Sequence, residues 1–128
     1  RYLTLGKASW RHIGQGSVWF VAFGVFDALS IYECGFPTVL HSYGASLPPN
    51  AIPGPDLAKL VFVLPDLHEF RFASKLASRL AKFLNVRFPD IQYPPGAKDP
   101  NDLHRMGMLK PLLIQLAEGK HDDNVVKL

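Results

Sequence analysis

The sequence predicts an α/β domain built on a mostly parallel, four-stranded sheet flanked by helices. Short apolar runs rich in β-branched and aromatic residues alternate along the chain with segments of helical periodicity. Turn-forming Pro and Gly pairs separate these segments. Strands that alternate with helices need crossover connections, which make neighbouring strands parallel and cover both faces of the sheet.

Four segments have the composition of strands. The first, residues 17–23, is apolar after its leading Ser and ends at Gly24, as expected of a strand buried on both faces. The others are short β-branched or aromatic runs at residues 38–41, 59–64 and 86–88. In parallel sheets ligands bind beyond the carboxyl ends of the strands, so the turns after these runs are the first place to look for a site.

Four segments have helical spacing. Residues 27–34 are expected to form a short helix with Asp27 as its cap, and residues 102–109 and 111–118 two further short helices. The clearest helix spans residues 68–84, where Asp66 is a candidate cap.

Basic side chains recur on one side of this long predicted helix. They are Arg71, Lys75, Arg79 and Lys82, and Lys98 adds a further positive charge downstream. The formal charge of the chain is +3, and its surplus lies in residues 59–98, which hold seven basic and three acidic side chains. Such a row neutralises the phosphates of a nucleic acid without reading its sequence. The alternative is a solvated helix face that keeps the domain soluble.

The length of the chain and its cysteine content indicate the number of domains and the cellular compartment. A chain of 128 residues is enough for one domain. The chain has one cysteine, Cys34, so it forms no internal disulfide, which favours the reducing cytoplasm; we expect this thiol to be packed rather than reactive. The longest apolar run is far too short to span a bilayer, so no membrane association is expected. The chain begins without Met or a leader, and we expect it to be part of a longer protein.

Several ordered landmarks resemble a known family. They are Val-Ala-Phe-Gly-Val-Phe-Asp-Ala-Leu-Ser at 21–30, Cys-Gly-Phe-Pro-Thr-Val at 34–39, Ser-Tyr-Gly-Ala-Ser at 42–46, the strand at 60–64 with its following helix, and Tyr-Pro-Pro-Gly-Ala-Lys-Asp-Pro-Asn-Asp-Leu at 93–103. In this order they resemble the Toprim domain of bacterial-type primases, topoisomerases and some nucleases. The resemblance covers about residues 17–107.

The resemblance implies a fold and a role. It implies a single Toprim-like domain over residues 1–128, with its core at about 17–107 and flanking extensions at 1–16 and 108–128. It also implies the primase branch, in which this module supports Mg²⁺-dependent phosphodiester synthesis on a single-stranded DNA template. The implied partners are single-stranded DNA or a primer-template and the remainder of a larger replication protein.

The chain departs from the Toprim pattern where the chemistry is concentrated. The family places a Glu before the Gly of its first motif, and here that position is Phe23. The family's Asp-x-Asp falls on Pro65 and Leu67, or, if the alignment moves by one residue, on Asp66 and His68. The acidic cluster is therefore depleted.

The acids that remain define a candidate metal site. By resemblance, Mg²⁺ or Mn²⁺ would be held by Asp27, Asp66 and Asp99, with His68 or Glu69 completing the ligand shell. Hard cations prefer oxygen ligands, and His suits Mn²⁺ or Zn²⁺ better than Mg²⁺. The structural alternatives are that Asp27 and Asp66 cap helices and that Glu69 complements a helix dipole.

We therefore expect a divergent, catalytically weakened Toprim module of a primase-like replication protein, contributing nucleic-acid contact or assembly. One alternative is an active metal-dependent nucleotidyltransferase or nuclease with an unusual ligand set. The other is a protein-interaction module whose apolar patch comprises Phe23, Leu67 and Phe70. All depend on one spatial expectation, that the turn carrying Phe23 to Asp27 lies beside the turn carrying Asp66.

Overall fold

A computed structural model describes residues 3–5, 18–41, 60–82, 85–119 and 125–127, of which 3–5 and 125–127 are described as backbone only. Five strands form one sheet: β1 (Leu3–Leu5), β2 (Val18–Ala22), β3 (Thr38–Leu40), β4 (Leu60–Val63) and β5 (Val86–Arg87). Their spatial order is β1-β3-β2-β4-β5, and every pairing is parallel. The predicted α/β class is confirmed. The four predicted strands correspond to β2, β3, β4 and β5, and β1 extends the sheet at one edge.

Four helices cover the sheet: α1 (Val25–Glu33), α2 (Phe70–Leu80), α3 (Pro100–Arg105) and α4 (Leu109–Ala117). A separate parallel pair consists of β6 (Asp90–Gln92) and β7 (Val125–Lys127). No helix among the described residues has the length and apolar character needed to cross a membrane.

The side chains of β2 alternate between two apolar cores. Phe20 and Ala22 join the core that α1, α3 and α4 cover, whereas Trp19 and Val21 join the core under α2. This is the period-two geometry of a strand buried on both faces. It explains why the run reads as continuously apolar in the sequence.

Helix α2 is shorter than the predicted span of residues 68–84. It begins at Phe70 because the backbone around Asp66 to Glu69 forms a turn, in which Asp66 Oδ1 accepts a hydrogen bond of 2.7 Å from the His68 backbone N–H. Its Ala73, Leu76, Ala77 and Leu80 are buried against the sheet, as the periodicity predicts. Residues 83–84 lie outside the described part of the chain.

Helix α4 packs into the same core as the predicted Toprim-like segment. Leu109, Leu112, Leu113 and Leu116 are at most 1% exposed and belong to the cluster that contains Phe20. The packed domain therefore extends beyond residue 107, into the segment that the sequence predicts to be a flanking extension. Strand β1 likewise brings part of the other predicted extension into the sheet.

Candidate functional site

The turns after β2 and β4 lie side by side. These strands are parallel neighbours with Val21 paired to Val63, and the Leu64 backbone N–H donates to the Val21 carbonyl over 2.9 Å. The turn that contains Phe23 and Gly24 and the turn that contains Asp66 therefore leave the same edge of the sheet. This confirms the spatial expectation on which the predicted site depends.

Asp27 is held at this edge by two features of its surroundings. It is 7% exposed, and its Oδ1 accepts a hydrogen bond of 2.9 Å from the Asn101 backbone N–H. Its Oδ2 lies 3.0 Å from where a Cβ on Gly24 would stand, so glycine leaves room for the carboxyl. The predicted capping role is wrong, because the N-cap of α1 is Gly24 and Asp27 lies inside the first turn.

The pKa of Asp27 shows which acidic residues are close enough to influence its carboxyl group. Burial is the main cause that raises the pKa of Asp27, to about 7, and the hydrogen bond from Asn101 opposes that rise. The charges of Asp99, Asp66 and Glu69 raise it further. The structure thus brings Asp27 within electrostatic reach of Asp66, Asp99 and Glu69.

The turn between β4 and α2 carries two of these acids. The predicted cap Asp66 bonds the His68 backbone instead, while Glu69 is the N-cap residue of α2 and makes no side-chain cap hydrogen bond. Glu69 Oε2 is buried and has no hydrogen-bond partner among the described residues. Burial raises the pKa of Glu69, and the nearby Asp66 charge raises it further.

A second segment clamps the β4–α2 turn in place. The Tyr93 hydroxyl donates to the Pro65 carbonyl over 2.7 Å, and the Leu67 backbone N–H donates to the Lys98 carbonyl over 2.9 Å. Burial and the neighbouring carboxylates raise the pKa of Tyr93, so its hydroxyl stays protonated and able to donate. The sequence analysis assigned no role to Tyr93 or Asn101, because each forms its hydrogen bond with a residue that is distant in the chain.

The acids of the Lys-Asp-Pro-Asn-Asp stretch stabilise the start of α3. Asp99 is its N-cap and accepts from the Asp102 backbone N–H over 2.8 Å. Asp102 pairs with Arg105 and accepts from the Lys98 backbone N–H. The bond from Arg105, followed by that from Lys98, lowers the pKa of Asp102. Asp102 is therefore an ionised structural residue.

The described residues do not fit a Toprim-type metal centre. Within them, no group of three or more His, Cys, Asp or Glu side chains is placed to hold a metal ion. Phe23 offers no oxygen, is 6% exposed and packs edge-on against His41 with ring centroids 6.3 Å apart. One Asp27 oxygen is already bonded to Asn101. The ligand set of Asp27, Asp66, His68 and Asp99 stays a prediction, as does the binding of Mg²⁺ or Mn²⁺.

Three members of the predicted basic row, Arg71, Lys75 and Arg79, lie on the open face of α2, and Lys82 follows the last residue of the helix by two positions. Arg71, Lys75, Arg79 and Lys82 are all exposed, and in the described part of the chain none forms an ion pair. We call these four residues the α2 basic row. Lys98 is also exposed, but it belongs to the segment that clamps the β4–α2 turn.

The apolar surface differs from the predicted patch. Phe23 is buried, so its place in that patch is wrong, whereas Leu67 and Phe70 are 57% and 54% exposed. The first turn of α1 adds Val25 and Phe26, which are 55% and 72% exposed. The sequence analysis gave these two residues no role, because they lie between the predicted strand at 17–23 and the predicted helix at 27–34. The Ser-Tyr-Gly-Ala-Ser landmark at residues 42–46 lies outside the described residues.

A separate titratable cluster lies where α1 ends. Cys34 is buried, with its Sγ 3.8 Å from His104 Nδ1, and His104 Nε2 is 2.9 Å from Glu33 Oε2. Burial raises the pKa of the Cys34 thiol, which disfavours the thiolate that a nucleophile needs. The expectation of a packed cysteine is confirmed by its burial.

Comparisons with protein-family models, with curated proteins and with solved structures found no match to this chain. The Toprim resemblance stays a prediction from the sequence landmarks.

Proposed function

We propose that this chain is a divergent Toprim-like module of a primase-like replication protein that contacts nucleic acid and has lost most or all phosphoryl-transfer chemistry. The α2 basic row is the observation that carries the proposal. Its four cations are exposed, lack acidic partners among the described residues, and begin at Arg71, one residue into the helix that follows the site edge. Phosphates would bind there by charge.

The dimensions of α2 suit a nucleic-acid backbone. A helix rises about 1.5 Å per residue, so the helical part of the row, from Arg71 to Arg79, extends for about 12 Å along the surface. Arg71, Lys75 and Arg79 are four residues apart, which keeps them on one helix face. A contact of this kind holds a strand by its phosphates and leaves the bases free.

The arrangement of the site supports the proposed loss of phosphoryl-transfer chemistry. Phosphoryl transfer by metal ions needs several carboxylates that converge on the same ions. Here Phe23 is apolar, Asp99 caps α3 and Asp27 bonds Asn101. One rival function, a metal-dependent nucleotidyltransferase or nuclease, is motivated by the charges of Asp99 and Asp66, which raise the pKa of Asp27.

The test is the salt dependence of binding to a fluorescent single-stranded DNA. Each phosphate contact contributes about 0.7 to the slope of log affinity against log salt for a single strand. The double substitution Lys75→Gln and Arg79→Gln should reduce that slope by about 1.4 and weaken binding to single-stranded DNA of any sequence. The matched control is Lys110→Gln, an exposed cation on α4, which covers the other face of the sheet.

An unchanged slope in the double variant would show that α2 does not contact the phosphates. Repeating the titration with millimolar Mg²⁺ or Mn²⁺ addresses the rival. A metal-dependent change in the chemical shifts of Asp27 and Asp66, together with turnover of the strand, would favour the enzyme.

A further inference from the structure

A pocket of about 200 Å³ lies between the β4–α2 turn and β6. Apolar side chains form most of its walls, namely Leu67, Phe70, Ile91 and Tyr93, and the acids Asp66 and Asp90 also line it. Pockets that enclose drug-sized ligands have volumes of roughly 300 to 1,000 Å³. This one suits a fragment the size of a single ring system.

The aromatic walls are held in place before any ligand arrives. The Tyr93 hydroxyl is fixed to the Pro65 carbonyl at 2.7 Å. The Phe70 ring lies against Phe88, with centroids 5.1 Å apart and planes tilted by 42°, yet Phe70 remains 54% exposed. A planar ligand that covered Phe70 would bury apolar surface at little conformational cost.

The charges in the pocket favour the base of a nucleotide over its phosphate. Asp66 and Asp90 disfavour a phosphate inside it, whereas Arg71, the residue after Phe70, is exposed and unpaired within the described chain. Ionised carboxylates only accept hydrogen bonds. Only one Asp66 oxygen is bonded to the His68 backbone N–H. The pocket therefore favours a flat ring that carries hydrogen-bond donors.

We propose that this pocket binds one unstacked base of a single-stranded nucleic acid, which stacks on Phe70 and donates a hydrogen bond from its amino group to the Asp66 carboxylate, while α2 holds the adjoining phosphates. The inference rests on the proposed function and adds to it a preference for single strands. Cytosine and adenine present an amino donor, whereas thymine presents a carbonyl oxygen at the corresponding position. Cytosine and adenine should therefore bind better than thymine.

The test compares three strands of equal length: oligo-dC, oligo-dT and an abasic strand with the same backbone. Stacking of a base on an aromatic side chain should make oligo-dC bind at least about fivefold more tightly than the abasic strand. Phe70→Ala should abolish that difference. Phe72→Ala is the matched control, because Phe72 is 39% exposed on the same helix and does not line the pocket.

Asp66→Asn should reduce the preference for oligo-dC over oligo-dT and keep the preference for oligo-dC over the abasic strand. Equal binding of all three strands by the unaltered protein would overturn the base pocket and leave the phosphate contact standing. Binding of none of them would overturn both proposals. The comparison of strands on the unaltered protein decides the matter even if Phe70→Ala does not fold.

Discussion

Asp27→Asn should stabilise the protein, and by clearly more near pH 8 than near pH 5. In the folded protein the pKa of Asp27 is raised from 3.8 to about 7, mainly by burial. A carboxyl whose pKa is higher in the folded state binds protons more tightly there, so stability falls as pH rises between the two pKa values. Asn removes the charge and retains an oxygen that can accept from the Asn101 backbone N–H.

The magnitude follows from the same pKa values. One pH unit corresponds to about 1.36 kcal/mol, so the rise from 3.8 to about 7 sets a ceiling of about 4 kcal/mol. Asp27 lies at the edge of the sheet, and ionisation there can draw in water. We therefore expect Asp27→Asn to gain about half of that ceiling, roughly 2 kcal/mol, near pH 8.

Urea unfolding followed by tryptophan fluorescence across about pH 5 to 8 measures this difference. The control is Asp90→Asn, which removes an exposed carboxyl of β6 and should leave the slope of stability against pH nearly unchanged. If Asp27→Asn shifted stability equally at both ends of the range, Asp27 would not be the buried titrating group.

Two further predictions concern packing. Gly24→Ala should lower the free energy of unfolding by about 1 kcal/mol, measured with urea, because the new Cβ would stand 3.0 Å from Asp27 Oδ2 while the Asn101 backbone N–H holds the other oxygen. An equally stable variant would mean that the Asp27 carboxyl shifts freely. Leu112→Ala should destabilise the domain by about 2 to 5 kcal/mol, since Leu112 is 1% exposed in the core under α1; a change below about 1 kcal/mol would show that α4 is only loosely attached.

The elements whose apolar residues follow a strand or helix period were predictable from the sequence. The alternation within β2 and the apolar stripe of α2 reflect burial at strand and helix periods, so both elements and the exposure of the α2 basic row follow from spacing alone. Helix boundaries were less predictable. The N-caps are Gly24 for α1 and Glu69 for α2, and neither makes a side-chain cap hydrogen bond, so the capping residues that the sequence offers do not mark where these helices begin.

The candidate site divides in the same way. The sequence itself determined which side chains exist at the ends of the strands, including the apolar Phe23, and the rule for parallel sheets placed them at one edge. Only the tertiary structure decided that Asp27 bonds Asn101, 74 positions away, and that residues after β4 meet β6 to form a pocket. Contacts between distant segments, and the exclusion of water that raises the pKa of Asp27, depend on how the helices pack on the sheet. The periodicity of the sequence predicts neither these distant contacts nor this exclusion of water.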